Sequence, residues 1–431
     1  MTFLKHTCRA GLLLVGLSTP PCVAQGRPAP LEVPGLQKYV AGVLRQNALL
    51  RAAKARTGGA ARRIAPAGAL PDPTLTIGAM SVPVTSFDLE REPMTQFPIM
   101  LQQRVPFPGK RAAATAVSRA DSTVAERSRE SLEARLVAAA VHAYFELAGA
   151  RTAVAIWRRR LALADQAITV ARVRYETGAA PQTDLLRARL RRSELDEEGQ
   201  SLLATVQGAG ARTDMLRAGD TASIATPLLA SPAALPGLRE DSVPGDAEAR
   251  DTMVANNAEL RASGADITRA QRAVAVLDLA ARPDLTIGVQ TGIRLGGREP
   301  FVTALFGVSL PLYAARKQHP AAEAGRHDLL AARAEYEDAR ARLTGDLLGV
   351  LATVRALKSR ILQTADEIVP LAEAASTSAV RRYQVGAIDF GAVLDSQDDL
   401  FRAQLRLARL TADYGAAWGL LAALTGEEWY P

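Results

Sequence analysis

"LTIGVQTGIRL", residues 285 to 295, is the stretch on which the fold turns. Leu285, Ile287, Val289, Ile293 and Leu295 alternate with Thr286, Gly288, Gln290, Gly292 and Arg294. A period of two sends successive side chains to opposite faces, so this reads as a strand with one apolar face and one polar or glycine face. "FVTALFGVSL" (301–310) repeats the pattern: Val302, Ala304, Phe306, Val308 and Leu310 point one way, Thr303, Gly307 and Ser309 the other, with Phe301 and Leu305 as departures. Earlier in the chain Phe97, Ile99 and Leu101 alternate with Gln96, Gln102 and Arg104. Strands of about ten residues with this dyad fit a transmembrane barrel with a wet lumen. Ordinary half-buried hairpins on a soluble domain would show the same periodicity. Four strands cannot close a barrel, and open edges in lipid leave backbone groups unpaired. If the strands span a membrane, several copies of the chain must share one barrel.

The rest of the 431 residues points to long helices. The chain is 48% hydrophobic but only 5% aromatic, with Ala, Leu and Val dominating and mean hydropathy near zero. The net charge of +7 is spread among well-mixed acids and bases, with no basic stripe interleaved with aromatics, which argues against nucleic-acid binding. No apolar run is long enough for a transmembrane helix, so membrane residence requires a barrel. At the N-terminus Lys5 and Arg9 precede an apolar core from Ala10 to Leu17 and a small-residue site at Cys22-Val23-Ala24. This reads as a signal peptide over residues 1–24, hence export, with no cysteine left after cleavage to form a disulfide. Cys22 could instead carry a lipid, although Thr19-Pro20-Pro21 is a poor context for it.

The chain is also duplicated. "PDPTLTIG" (71–78) is echoed by "RPDLTIG" (282–288), "QQRVPFPGKR" (102–111) by "GVSLPLYAARK" (307–317), and "RYETGAAPQTDLL" (174–186) by "RYQVGAIDFGAVL" (382–394). The near-constant offset marks one unit repeated. The expected plan is a first repeat over 25–218, with a helix near 34–65, a β-hairpin at 75–106, a long helix at 110–177 and a helix at 184–217. A proline-rich linker follows at 219–246. The second repeat, 247–426, has a helix at 247–281, a hairpin at 285–313, a long helix at 314–385 and a helix at 389–425, then a tail at 427–431. A helix from 110 to 177 would be roughly 100 Å long. Pro320 falls near the first turn of its counterpart, and Pro370 should kink the far end.

The duplicated halves, "VPFPGKR" (105–111) at a strand-to-helix junction, and "RYxxG" followed by "VLDSQDDL" (393–400) together resemble the TolC-like outer-membrane efflux channels. "REPMTQFPIMLQQRVPFPGKR" (91–111) and "GVSLPLYAARKQ" (307–318) look most like the branch serving heavy-metal efflux. The resemblance implies a mainly α fold with a small β part: a homotrimer whose chains each give four strands to a 12-stranded β-barrel, above a long α-helical tunnel across the periplasm. It also implies a periplasmic adaptor and an inner-membrane pump, of the resistance-nodulation-division type, as partners. The function expected is a passive exit duct, with heavy-metal cations as cargo. A duct for organic compounds or for type I secretion is the alternative, and a periplasmic coiled-coil scaffold or adaptor would explain the helices but not the strands.

Candidate positions follow from both lines of reasoning. Gly178 and Gly386 sit where helices end and suit left-handed caps. The resemblance makes these turns the adaptor-docking tip, with Arg174, Tyr175, Gly178, Arg382, Tyr383 and Gly386 as its rim. It also makes Asp395, nine residues past Gly386, an acidic ring at the entrance; the other acidic position of the family is Ala392 here. A solvated acidic helix start explains Asp395 equally well. Lys110, Arg111, Arg316 and Lys317 lie at both strand-to-helix junctions, and anionic headgroups would favour them at a membrane edge. Met80, Met94 and Met100 are soft ligands in type, though wall or loop packing is the simpler role. His142, His319 and His327 have no ligand spacing. "GK" at 109–110 lacks the earlier glycine and the following Ser or Thr of a phosphate loop, and no nucleophile motif appears, so neither a cofactor nor catalysis is expected.

Overall fold

The computed structural model describes residues 35–83, 90, 92–217, 243–296 and 298–426. The signal-peptide reading, most of the linker and the tail lie outside these residues. The first repeat contains α1 (Leu36–Gln46), α2 (Ala48–Ala67), β1 (Thr74–Ile77), β2 (Phe97–Val105), α3 (Lys110–Glu176) and α4 (Gln182–Leu216). The second contains α5 (Asp246–Asn256), α6 (Ala258–Leu279), β3 (Leu285–Ile293), β4 (Phe301–Val308), α7 (Gln318–Gln363), α8 (Val369–Gln384) and α9 (Phe390–Thr425). The molecule is thus mainly helical, internally duplicated, and built around one four-stranded antiparallel sheet.

Two corrections concern the shorter helices. The segments expected as single helices near 34–65 and 247–281 are each broken, at Asn47 and Asn257. Both asparagines cap the helix that follows: Asn47 Oδ1 accepts from Leu49 and Leu50 N–H, and Asn257 Oδ1 from Glu259 and Leu260 N–H. Their amides then reach across the molecule, Asn47 to the Leu216 carbonyl at 3.1 Å and Asn257 to the Leu424 carbonyl at 2.9 Å. Each break is therefore held by the C-terminal helix of its own repeat.

A third correction concerns the second long helix, expected over 314–385 with a kink near Pro370. It begins at Gln318 after a series of turns, and residues Thr364–Ile368 form a π-helical turn between α7 and α8. Pro370 lies at the start of α8. Its ring displaces the carbonyl four residues earlier and offers no N–H, so the wider turn forms one step before the proline.

Helix α3, 67 residues long, is the spine. α2 and α4 pack along it from its own repeat, and α6 and α9 from the other. The main core lies midway, where Val141, Tyr144 and Phe145 of α3 meet the α7 stripe Leu343, Leu347, Leu351, Val354 and Ile361, and Tyr414 and Trp418 of α9. With Leu357, that stripe recurs every three or four residues, the period of one helix face. α9 comes close because Gly415 and Gly419 lie against Phe145 and Val141, with no room there for a Cβ.

The strands run β1-β2-β3-β4. β2 and β3 join the repeats from Phe97↔Ile293 to Val105↔Leu285, and β4 pairs with β3 from Phe301↔Gly292 to Val308↔Leu285. This register aligns the dyads: Leu75, Leu101, Val289 and Ala304 share one face, while Thr76, Met100, Gln290 and Thr303 share the other. Leu75, Leu101, Val289, Ile287, Phe306 and Val308 are exposed. β1 is shorter than the hairpin reading implied, with only four residues. β1 and β4 are the edges. Among the described residues no helix is long and apolar enough to cross a membrane.

Candidate functional site

The two helical turns lie side by side at the end of the molecule away from the sheet. Both are Schellman caps. Gly178 and Gly386 have φ of 72° and 75°, and the next amides reach back, Ala179 N to the Arg174 carbonyl (2.7 Å) and Ala387 N to the Arg382 carbonyl (2.9 Å). A Cβ at either glycine would meet nothing within 4 Å, so φ alone requires glycine.

The flanking Arg-Tyr pairs differ. The Arg174 guanidinium stacks on the Tyr383 ring at 4.4 Å and donates to the Tyr383 carbonyl at 2.8 Å. The Tyr383 hydroxyl faces Asp184 Oδ2 at 3.4 Å, and the ring packs against Phe390 among Ala171, Leu185 and Val393. Burial, only partly countered by Arg174, pushes the Tyr383 phenol upward, and Asp184 adds to the rise. Tyr175 and Arg382, at the corresponding places of the opposite repeats, are exposed. The six rim positions thus form one satisfied pair, one exposed pair and two caps.

Asp395 is exposed on the second turn of α9. Asp399, one turn on, is exposed on the same side, with Arg402 3.8 Å away. Asp398 points inward to the first repeat, where Arg191 donates to it at 2.7 and 3.1 Å and Arg160 also pairs with it. Arg160 is buried, lies 4.1 Å over the Phe401 ring, and is pushed down to about 10 by burial and by Arg191, with Glu198 opposing. Sequence reasoning missed this link. Its signal was the pairing of arginines in α4 with acids at nearly the same repeat positions in α9.

At the other end, Asp284 organises the strand-to-helix junction. Its carboxylate accepts from Arg104 Nη2 (2.5 Å), Lys110 Nζ (2.8 Å) and Phe107 N–H (3.0 Å), while its backbone pairs with Ser309. Burial alone would raise this acid, but Lys110, the Phe107 amide and Arg104 outweigh it and hold it at about 2. Lys110 also donates to the Arg282 carbonyl at 2.6 Å. The four junction cations are therefore not equivalent: Lys110 is committed within the chain, Arg111 Nε donates to the Gly68 carbonyl, and Arg316 and Lys317 are exposed.

Met100 lies on the polar sheet face and Met80 opposite Gln96, each thioether accepting from a glutamine amide at 3.2–3.3 Å. Met94, His142, His319 and His327 are exposed. Among the described residues no group of three or more His, Cys, Asp or Glu is placed to hold a metal.

With this geometry in place, the family model "Outer membrane efflux protein" matches residues 41–217 and 250–427, both repeats in turn. The chain belongs to the outer membrane efflux protein family. The same fold appears in the solved structures of CusC (TM-score 0.78, 14% identity, 94% of this chain and 96% of that one), the Campylobacter jejuni CmeC outer membrane channel (0.77, 13%, 99% and 93%) and the Vibrio cholerae outer membrane protein VceC (0.74, 20%, 91% and 96%). No curated protein matches the sequence significantly. Membership makes the chain an outer-membrane efflux channel in kind.

Proposed function

We propose that three copies of this chain form the outer-membrane duct of a tripartite efflux pump, a conduit without catalytic activity. The observation that carries this is a four-stranded sheet with an exposed apolar face and two unfilled edges, set on a helix of 67 residues. Three such sheets edge to edge would give twelve strands and remove every edge from lipid. The helices would then form the periplasmic tunnel, and the tip around Gly178 and Gly386, with Arg174, Tyr175, Arg382 and Tyr383, would receive the adaptor. An inner-membrane pump, of the resistance-nodulation-division type, would supply energy and select cargo.

Metal cations are the cargo we infer. Asp395 and Asp399, exposed on one side of α9, would give acidic rings at the entrance of a trimer, and such rings favour cations over anions. Organic substrates are the alternative. Purified protein in planar bilayers should conduct with cation selectivity, weakened in Asp395→Asn. Absence of conductance would overturn the duct. Co-expressed with adaptor and pump in a host lacking its own duct, the protein should raise tolerance to metal salts; raised tolerance to dyes and detergents alone would reassign the cargo.

A further inference from the structure

The duplication makes a residue-level statement about what lies beside each chain. Within one chain, the first repeat offers a face containing Ala167, Ile168, Ala171, Leu185, Ala188 and Arg174, and the second covers it with Tyr383, Phe390, Val393 and Leu394. Each repeat has the same arginine, tyrosine and glycine in the same cap. Only one pairing is made within the chain. The second repeat's arginine, Arg382, and the first repeat's tyrosine, Tyr175, are both left exposed.

The exposures match this. Tyr383 is 6% exposed beneath Arg174, whereas Tyr175 is 43% exposed. Leu394 packs into the small core at the tip and Asp398 into the arginine pair, but Leu186 and Leu190, their counterparts on α4, are 53% and 61% exposed. An aromatic ring and two leucines of the α3–α4 hairpin are thus exposed where the opposite repeat's equivalents are covered. The sheet behaves the same way: β2–β3 pairing joins the repeats inside the chain, while β4 and β1 are left as edges. Head-to-tail interfaces of this kind close into rings when the rotation allows.

We propose that Tyr175, Leu186 and Leu190 of one copy dock against α8 and α9 of a second copy, with Arg382 of that copy stacked over Tyr175 as Arg174 stacks over Tyr383. The proposal rests on the multi-chain reading above. It narrows the adaptor-receiving rim to the turns at Gly178 and Gly386, because the two Arg-Tyr pairs then tie repeat to repeat around the ring. Cation–π contacts of this geometry are worth more when desolvated, so the second copy must cover the ring as the first repeat covers Tyr383.

The test compares two cysteine pairs in the full-length protein, extracted from outer membranes in mild detergent and treated with bismaleimidoethane. Arg174→Cys with Tyr383→Cys should link within one chain and leave the denatured protein at monomer mass. Tyr175→Cys with Arg382→Cys should convert the monomer band into covalent dimers and trimers, and neither single variant should do so. Native mass spectrometry of the same samples reads assembly independently. A trimer by mass with no covalent ladder from the 175/382 pair would overturn this contact and leave the trimer standing. A monomer by mass would overturn both, and a ladder of equal strength in a single variant would count against the contact. A charge-and-ring exchange provides a second arm. Tyr175→Arg or Arg382→Tyr alone should lower the temperature at which the oligomer dissociates, and the two together should restore it. No restoration, with each single variant still assembling normally, would also overturn it.

Discussion

At the first strand-to-helix junction, Pro106 and Pro108 lead through Gly109 directly into α3, and Lys110 turns back onto Asp284 of the other repeat. At the second, Pro311 is followed by consecutive turns before α7 begins at Gln318, and Arg316 and Lys317 face outward. The sequences echo each other, yet one junction is an ionic clamp closed on a buried carboxylate and the other an exposed bend. The reason is asymmetry of partners. Asp284 stands one residue before β3, the strand that pairs with β2, so it can reach the end of β2 and the start of α3. β4 is an edge and, among the described residues, has no such strand beside it. A cation at a helix start is disfavoured by the helix dipole, and Lys110 is acceptable because a buried carboxylate neutralises it.

Removing that carboxylate should therefore have the largest effect. Asp284→Ala leaves Lys110 and Arg104 without their anion and the Phe107 amide without an acceptor. The expected loss is about 3 kcal/mol, read as a lowered thermal midpoint of the detergent-solubilised protein. A loss no larger than that of Lys317→Ala would abolish the distinction between the junctions.

The acid limb of stability is the next effect in size. Asp284 has a folded value of about 2 against an ordinary value of 3.8, so the stability it contributes is complete above pH 4 and disappears as pH falls through 2. Over that window the wild type should lose about 2 kcal/mol that Asp284→Asn does not, measured as thermal midpoints at pH 5, 4, 3 and 2. Parallel curves for the two proteins would mean that the carboxylate is not held low by its partners.

Gly109 offers a smaller test of the same contrast. It caps α3 at φ 95°, and an added Cβ would meet only Leu279 at an ordinary 3.8 Å. Gly109→Ala should cost about 1–2 kcal/mol from backbone strain alone. Lys317, the corresponding cap of α7, has φ −121° and should accept alanine with a change below about 0.5 kcal/mol. Chemical denaturation of both variants in one detergent would compare them.

How much of this was legible depended on whether the signal was local. The dyads of β2, β3 and β4 and the proline-free run of α3 show in residue order, because each element's own periodicity sets it. The breaks at Asn47 and Asn257 do not. Asparagine is only a mild helix breaker, and here it acts through carbonyls of Leu216 and Leu424, more than 160 residues away. Pro370 signalled a distortion but not that the preceding turn would widen to a π turn. At the candidate sites the caps at Gly178 and Gly386 were readable from RYxxG alone. The burial of Tyr383 against the exposure of Tyr175 was not, since identical motifs differ only in what the other repeat lays over them. Asp284 entered only as part of the repeat echo "RPDLTIG", and its role needs the β2–β3 register to be seen.

The smallest expected effect is also the one that reaches function. Neutralising Arg316 and Lys317 together as glutamines should change stability in neutral detergent by less than about 0.5 kcal/mol, because both are exposed. If the second junction lies at an anionic membrane surface, each charge should be worth about 1 kcal/mol there. Binding and insertion into vesicles rich in anionic lipid should then fall for this variant, and the difference should vanish in zwitterionic vesicles or high salt. Lys110→Gln should do the reverse, lowering stability in any medium with no dependence on lipid charge, since its ammonium is spent on Asp284 and the Arg282 carbonyl. Equal lipid dependence for Lys110→Gln would show the clamp opening at the membrane, and the two junctions would then be one kind of anchor after all.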